Sequence, residues 1–201
     1  AYSLLFARSL GYGDEYGVLP VAGSFFITPP YLHSKVYTVQ IERFPFAAVH
    51  GDPDVGDAST NRFGPTGKVV PFLERERYKT IRDLFKALPF RFGTLKTLFA
   101  LLKDRDIRRY IMRNALYELP MIGRFFFIKE VRKIVPTARP RDLVYAKGGI
   151  RPQLIDFDKS QLVMGERKIV GDHIIFNLTP SPGASVCLKE ARDDGEKVVS
   201  F

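Results

Sequence analysis

Cysteine is nearly absent from this 201-residue sequence, where Cys187 stands alone. One thiol excludes an internal disulfide and any multi-cysteine metal site, and points to a reducing compartment. No apolar run reaches the ~18 residues of a spanning helix, and the opening AYSLLFARSL has no basic region followed by a cleavage site. Zinc-finger, RRM, KH and basic-zipper signatures are missing. So is a phosphate-binding fingerprint: Gly11-Tyr12-Gly13 begins like GxGxxG but puts Tyr16 at the third glycine and follows no strand. Asp52 and Asp54 could suggest a metal, but only His50 stands beside them, and that ligand set is incomplete.

What is present is a globular composition, 45% hydrophobic and 26% charged, with a net charge of +9. The excess charge is local. From Arg75 to Arg113 twelve Lys and Arg stand against four acids, a surplus of eight. The same segment carries Phe85, Leu88, Phe90, Phe92, Leu95, Leu98, Phe99, Leu101 and Leu102 at helical spacings. Three readings are open: helices with apolar faces in the core and basic faces in solvent, docking on an anionic membrane surface, or nucleic acid.

Residues 17–73 read as strands (GVLPVAGSFFIT, KVYTVQI, FPFAAVH, GKVVPFL) with GDPDVGD as a loop. Over residues 78–135 the period becomes helical. Helices are predicted over Thr80–Leu88 and Thr94–Leu102. Asp104 is then expected to cap a third with Ile107, Ile111, Ala115 and Leu119 on one face, ended by Pro120, and a fourth runs from Met121 to Val135. Strand signals return at GGIRPQLIDF, QLVMG, RKIVG and HIIFNL, and a helix starts near Gly183. The fold class expected is α+β: a mixed, largely antiparallel sheet with an inserted helical block. Tyr2 to Leu10 reads as a helix under way and stopped at Gly11, which suggests a piece of a longer chain.

His50 ends an apolar strand before an acidic, glycine-containing loop, where a reactive group can reach a cleft. Arg151 sits in a strand-like run before a proline, as a buried ion-pair partner or as a carboxylate clamp. Lys68 and Lys147 read as surface lysines. In TPSPGAS, Pro180 and Pro182 fix φ around Ser181, and Gly183 and Ala184 let backbone approach something flat or anionic at a helix start. A rigid connection without a ligand fits equally well.

In order along the chain, FPFAAVHGDPD, RFGPTGKVVPFLER, DIRRYIMRNALYELP, KIVPTARPRDLVYAKGGIRPQLID and FNLTPSPGASVCL resemble the C-terminal part of the malate:quinone oxidoreductase family, flavoproteins of the D-amino-acid-oxidase-like superfamily. A shorter subset is similar to L-2-hydroxyglutarate dehydrogenase. The resemblance implies residues 1–16 as the tail of an FAD-binding domain and 17–178 as a substrate-binding domain with a helical insertion at 78–137. Residues 179–201 become the segment returning to the flavin, with Pro182, Gly183, Ala184 and Ser185 as cofactor contacts.

It further implies oxidation of (S)-malate to oxaloacetate, with FAD as cofactor and a membrane quinone as electron acceptor. His50 would be the base and Arg151 the carboxylate clamp, with Arg62 or Lys68 as a second substrate-binding cation. Residues 75–113 would meet an anionic membrane, making the protein cytoplasmic and peripheral on the inner face of the cell membrane. These 201 residues alone are not expected to hold FAD tightly. Two alternatives stand beside this one: a dehydrogenase of another 2-hydroxy acid, and a non-catalytic basic binding domain.

Overall fold

The computed structural model describes residues 2–39, 48–178 and 183–200. In chain order these form α1 (Tyr2–Ser9), β1 (Tyr16–Thr28), β2 (Val36–Tyr37), β3 (His50–Pro53), β4 (Asn61–Gly64) and β5 (Lys68–Val69). The helical block is α2 (Ile81–Ala87), α3 (Phe92–Lys103), α4 (Arg105–Tyr117) and α5 (Gly123–Val131). After it come β6 (Val144–Asp156), β7 (Gln161–Leu162), β8 (Lys168–Gly171), β9 (Ile174–Asn177) and α6 (Gly183–Val199). This is the α+β arrangement, with helices between strands of a largely antiparallel sheet. The chain divides into two units, Ala1–Pro20 with Pro71–Leu101 and Pro152–Phe201, and Val21–Val70 with Leu102–Arg151.

In the first unit, Leu4, Ala7, Val18, Leu154 and Phe176 share one buried cluster. Gly11 ends α1 at φ +87, a conformation that is cheap only for glycine. Gly13 has a packing role, since a Cβ there would lie 2.8 Å from Ile169 and 2.9 Å from Leu4. β8 and β9 form a hairpin, and Lys168 ties it to α6 through Glu190 at 2.5 Å and Asp194 at 2.6 Å.

α3 departs from ordinary amphipathic packing. Its buried residues are Thr94 and Thr97, while Phe92, Leu95 and Phe99 are exposed. The threonines go inward because their hydroxyls find partners there, Pro89 O at 2.6 Å and Ser160 Oγ at 3.3 Å. Apolar faces in the core, one of the three readings open for the basic segment, do not describe this helix.

In the second unit, β3 pairs with β2 and β4, β4 with β1, β5 with β1, and β1 with β6. Phe26, Phe63, Phe127, Val131 and Leu143 form its core, with the Phe26 and Phe127 rings stacked at 4.7 Å. GDPDVGD is not wholly a loop: Gly51, Asp52 and Pro53 continue β3 opposite Phe63, Arg62 and Asn61. An Asp52–Arg62 ion pair at 3.2 Å and the fit of Gly51 against the Phe63 ring hold that extension. Among the described residues of KVYTVQI the strand covers Val36–Tyr37; residues 40–47, including the end of that stretch and most of FPFAAVH, lie outside the described residues.

Asp104 caps α4 as expected, accepting from the backbone N–H of Asp106 at 2.8 Å and Ile107 at 3.1 Å. The buried face of α4 is another matter. Ile111, Ala115 and Leu119 are exposed, and Asn114 and Tyr117 are buried. Polar partners select that face: Asn114 Oδ1 accepts from Gly67 N at 2.8 Å, and the Tyr117 hydroxyl donates to Glu130 at 3.0 Å.

Candidate functional site

Residues of β1 alternate between the two sides of the sheet in the second unit. Ala22, Ser24 and Phe26 face one side, and Val21, Gly23 and Phe25 the other. On the Phe25 side a cavity of about 260 Å³ lies among Gly23, Phe25, Thr66, Gly67, Tyr110, Gly149 and Arg151. Missing side chains create it. At Gly67 a Cβ would overlap the Tyr110 hydroxyl, and at Gly23 it would stand 3.1 Å from Pro65. Gly148 brings β6 close to β1, since a Cβ there would be 2.6 Å from Gly23 O.

Arg151 projects from β6 into this space, half-buried, and among the described residues no carboxylate lies within ion-pair distance of it. Burial lowers its pKa below the ordinary guanidinium value, opposed by Tyr110. Tyr110 is buried enough that its phenol is pushed up to about 12, so it stays neutral beside the cation. A half-buried guanidinium without an acid suits an external carboxylate, whose two oxygens match its fork.

His50 does not line the cavity, but it stands beside it. It is paired with Gly64 in β4, and its ring is 6.2 Å from that of Phe25, which forms the cavity wall. Nδ1 lies 3.0 Å from the carbonyl of Ala48. A carbonyl only accepts, so the proton sits on Nδ1 and the lone pair on Nε2. Burial lowers the His50 pKa below its ordinary value, outweighing the Ala48 hydrogen bond, so the ring is neutral at neutral pH. Neutral imidazole with its lone pair on Nε2 can take a proton.

Arg62 is on the same side, its guanidinium 5.5 Å from the Phe25 ring centroid. It is ion-paired with Asp52 at 3.2 Å and Asp54 at 3.4 Å. Lys68 is elsewhere. Its cross-strand partner is Ala22, so it faces the opposite side of the sheet and pairs with Glu118 at 2.6 Å. Pro182 lies outside the described residues; Gly183, Ala184 and Ser185 are the first residues of α6.

Tyr110, Asn114 and Glu118 were not singled out in the sequence, although all three shape these sites. The first two share the buried face of α4 at a spacing of four. A search for polar and aromatic residues at that spacing would have found them, whereas counting aliphatic residues selects Ile107, Ile111 and Leu119.

No protein-family model matches the chain. A probable malate:quinone oxidoreductase of Helicobacter acinonychis (strain Sheeba) is 44% identical over 206 residues, covering 100% of this chain and 46% of that protein. The corresponding probable protein of Campylobacter jejuni subsp. jejuni serotype O:2 is 45% identical, with the same coverage of both. A mitochondrial L-2-hydroxyglutarate dehydrogenase of Nematostella vectensis is 27% identical over 98% of this chain and 43% of its own length. The chain spans just under half the length of the curated relatives it matches.

Proposed function

This chain is homologous over its whole length to malate:quinone oxidoreductases, and we propose that the protein it belongs to oxidises (S)-malate to oxaloacetate with FAD as cofactor and a membrane quinone as final electron acceptor. The observation that carries this reading is Arg151, a half-buried cation without an acid partner among the described residues, in a small cavity next to a neutral histidine. Roughly 300–1,000 Å³ is usual for ligand pockets, so about 260 Å³ fits a small acid.

In this reading Arg151 binds the C1 carboxylate through two parallel hydrogen bonds and fixes C2. His50 Nε2 takes the hydroxyl proton, while its Nδ1–H stays on Ala48 and holds the ring in the correct tautomer. FAD, when bound, supplies the two-electron acceptor for the C2 hydride. Val21 and Phe25 wall the cavity and keep water from the reacting carbon. Arg62 is the candidate for the second carboxylate of malate; Lys68 faces the other side of the sheet and receives no role with malate.

These residues fit an edge of FAD and not its phosphates. No glycine fingerprint is present, and Gly13 is fully used in packing. The first N–H groups of α6 have no intrahelical partner and would suit the electron-rich side of a reduced isoalloxazine, with Pro182, Gly183, Ala184 and Ser185 as the contact segment. Residues 17–178 then form the substrate-binding part, with the insertion at 78–137, and residues 1–16 and 179–201 join it to the FAD-binding half.

The outward apolar face of α3 supports docking on an anionic membrane through residues 75–113. Phe92, Leu95 and Phe99 would enter the interface while Arg91, Lys96 and Lys103, all exposed, meet lipid phosphate. The protein would then lie on the inner face of the cell membrane. Among the described residues no helix is long and apolar enough to cross a membrane.

The test uses the full-length protein with its flavin and a dye as electron acceptor, offered (S)-malate, (R)-malate and L-2-hydroxyglutarate. Bleaching of the flavin band by (S)-malate is expected. Bleaching by L-2-hydroxyglutarate alone would favour the sister dehydrogenase, and bleaching by none of the three would refute the reading.

A further inference from the structure

On the opposite side of the sheet in the second unit lies another cavity, of about 510 Å³. Its walls are apolar, with Phe26 at the base and Leu143, Val144 and Met121 around it. Three donors also face it: Lys68, Arg124 and Tyr145. Lys68 and Tyr145 both contact Glu118 Oε2, at 2.6 and 3.0 Å, and Tyr145 is 2.8 Å from Ser24 Oγ. Burial would raise the Glu118 carboxyl, but hydrogen bonds from Lys68 and Thr66 hold it below the usual carboxylate range. That cluster is satisfied internally.

Arg124 is not. Its Nε is buried without a hydrogen-bond partner, and no acid pairs with it among the described residues. The positive charge of Arg124 at the cavity wall suits an electron-rich acceptor entering the cavity. The rim has the opposite character. Met121 is 85% exposed and Val144 63%, and Ile122 and Phe125 beside them are exposed as well. A cavity with a cation inside and an apolar collar outside fits a ligand with a polar, planar head and a hydrocarbon tail.

We propose that this cavity is a second ligand site, separate from the Arg151 cavity, that takes the head group of a quinone, with a carbonyl oxygen on Arg124 and the isoprenoid tail over Met121 and Val144. The proposal rests on the malate and quinone reading above and gives the acceptor a site of its own. A quinone carbonyl is a neutral acceptor that gains negative charge as the ring is reduced, and the Arg124 guanidinium suits both states. Met121, flexible and polarisable, can adapt to substituents on the ring. The volume lies inside the usual range for ligand pockets, roughly 300–1,000 Å³, and is about twice that of the Arg151 cavity.

Photolabelling of the full-length flavoprotein with a short-chain azidoquinone, followed by peptide mapping, tests this directly. Label is expected on residues 119–126 and 143–145, displaced by unlabelled short-chain quinone and not by malate. Label on the Tyr110 and Arg151 peptides that malate displaces would overturn the proposal and leave the malate reading intact, as would label that unlabelled quinone does not displace, or none at all. Arg124→Ala and Met121→Glu provide the kinetic arm, read as the ratio of quinone-linked to dye-linked malate oxidation. That ratio should fall about tenfold or more, the size of one charge-assisted hydrogen bond; an unchanged ratio in both variants overturns the proposal. Failure of malate to reduce the flavin of the unaltered protein would instead strike the functional reading itself.

Discussion

Replacing Arg151 separates a substrate clamp from a structural cation, because the two roles predict opposite outcomes for affinity and stability. Arg151→Lys keeps the charge and loses the planar fork. A charge-assisted hydrogen bond is worth about 1.5–3 kcal/mol, and about 1.4 kcal/mol is a factor of ten. Losing one of two parallel bonds should therefore raise the malate KM about 10- to 100-fold, and Arg151→Met, which loses both, should raise it further. Stability should hardly respond. Burial disfavours the guanidinium, and no carboxylate among the described residues is paired with it, so its removal orphans no acid. The Tm of Arg151→Met should stay within about 2 °C of the parent, a change of order 1–2 kcal/mol for an enzyme about twice the length of this chain. Steady-state kinetics with a dye acceptor and a melt followed by circular dichroism, both on the full-length enzyme, measure the two quantities. A normal KM in the lysine variant, or a collapse of Tm in the methionine variant, would refute the clamp.

His50→Gln should lower turnover about 10²- to 10⁴-fold, the usual range for a general base. Burial lowers the His50 pKa, so activity should fall on acidification only through a value below about 6.5; the unfolded chain takes up that proton first, so the buried neutral ring also costs stability as pH drops below about 6.5. An acid limb at or above 6.5, or normal turnover in the glutamine variant, would exclude the assignment. Gly67→Ala should displace Tyr110 from the cavity wall, raising the malate KM and costing about 1–3 kcal/mol of stability. Adding Tyr110→Phe removes the overlapping hydroxyl and should recover most of the loss; no recovery would mean that the Gly67 effect arises elsewhere. Liposome flotation should show binding to anionic vesicles that weakens with salt, and Phe92→Asp with Phe99→Asp should abolish it, whereas equal binding to neutral vesicles would remove the electrostatic part of that reading.

The elements were legible wherever a local signal decides them. Asp104 capped α4 and Gly11 stopped α1, because a cap and a left-handed turn depend on a few adjacent residues. The helical insertion between strands followed from a change of period. What the sequence left open was which face each helix buries: period gives a stripe, and the partner atoms choose among stripes. In α3 the threonine hydroxyls outbid phenylalanine and leucine for the interior, and in α4 Asn114 and Tyr117 did so through Gly67 and Glu130.

The candidate site divides along the same line. Sequence alone determined that His50 follows an apolar segment, that Arg151 sits in a strand, and that these residues carry no GxGxxG fingerprint, since each is a property of neighbouring residues. Only the tertiary structure decided their company. Strand alternation and register send Lys68 to the Glu118 side of the sheet and Arg151 to the other, tie Arg62 to two aspartates, and leave Arg151 without an acid among the described residues. Whether a charge is available to a ligand depends on which charges stand within a few ångströms of it, and residues far apart in the chain set those distances.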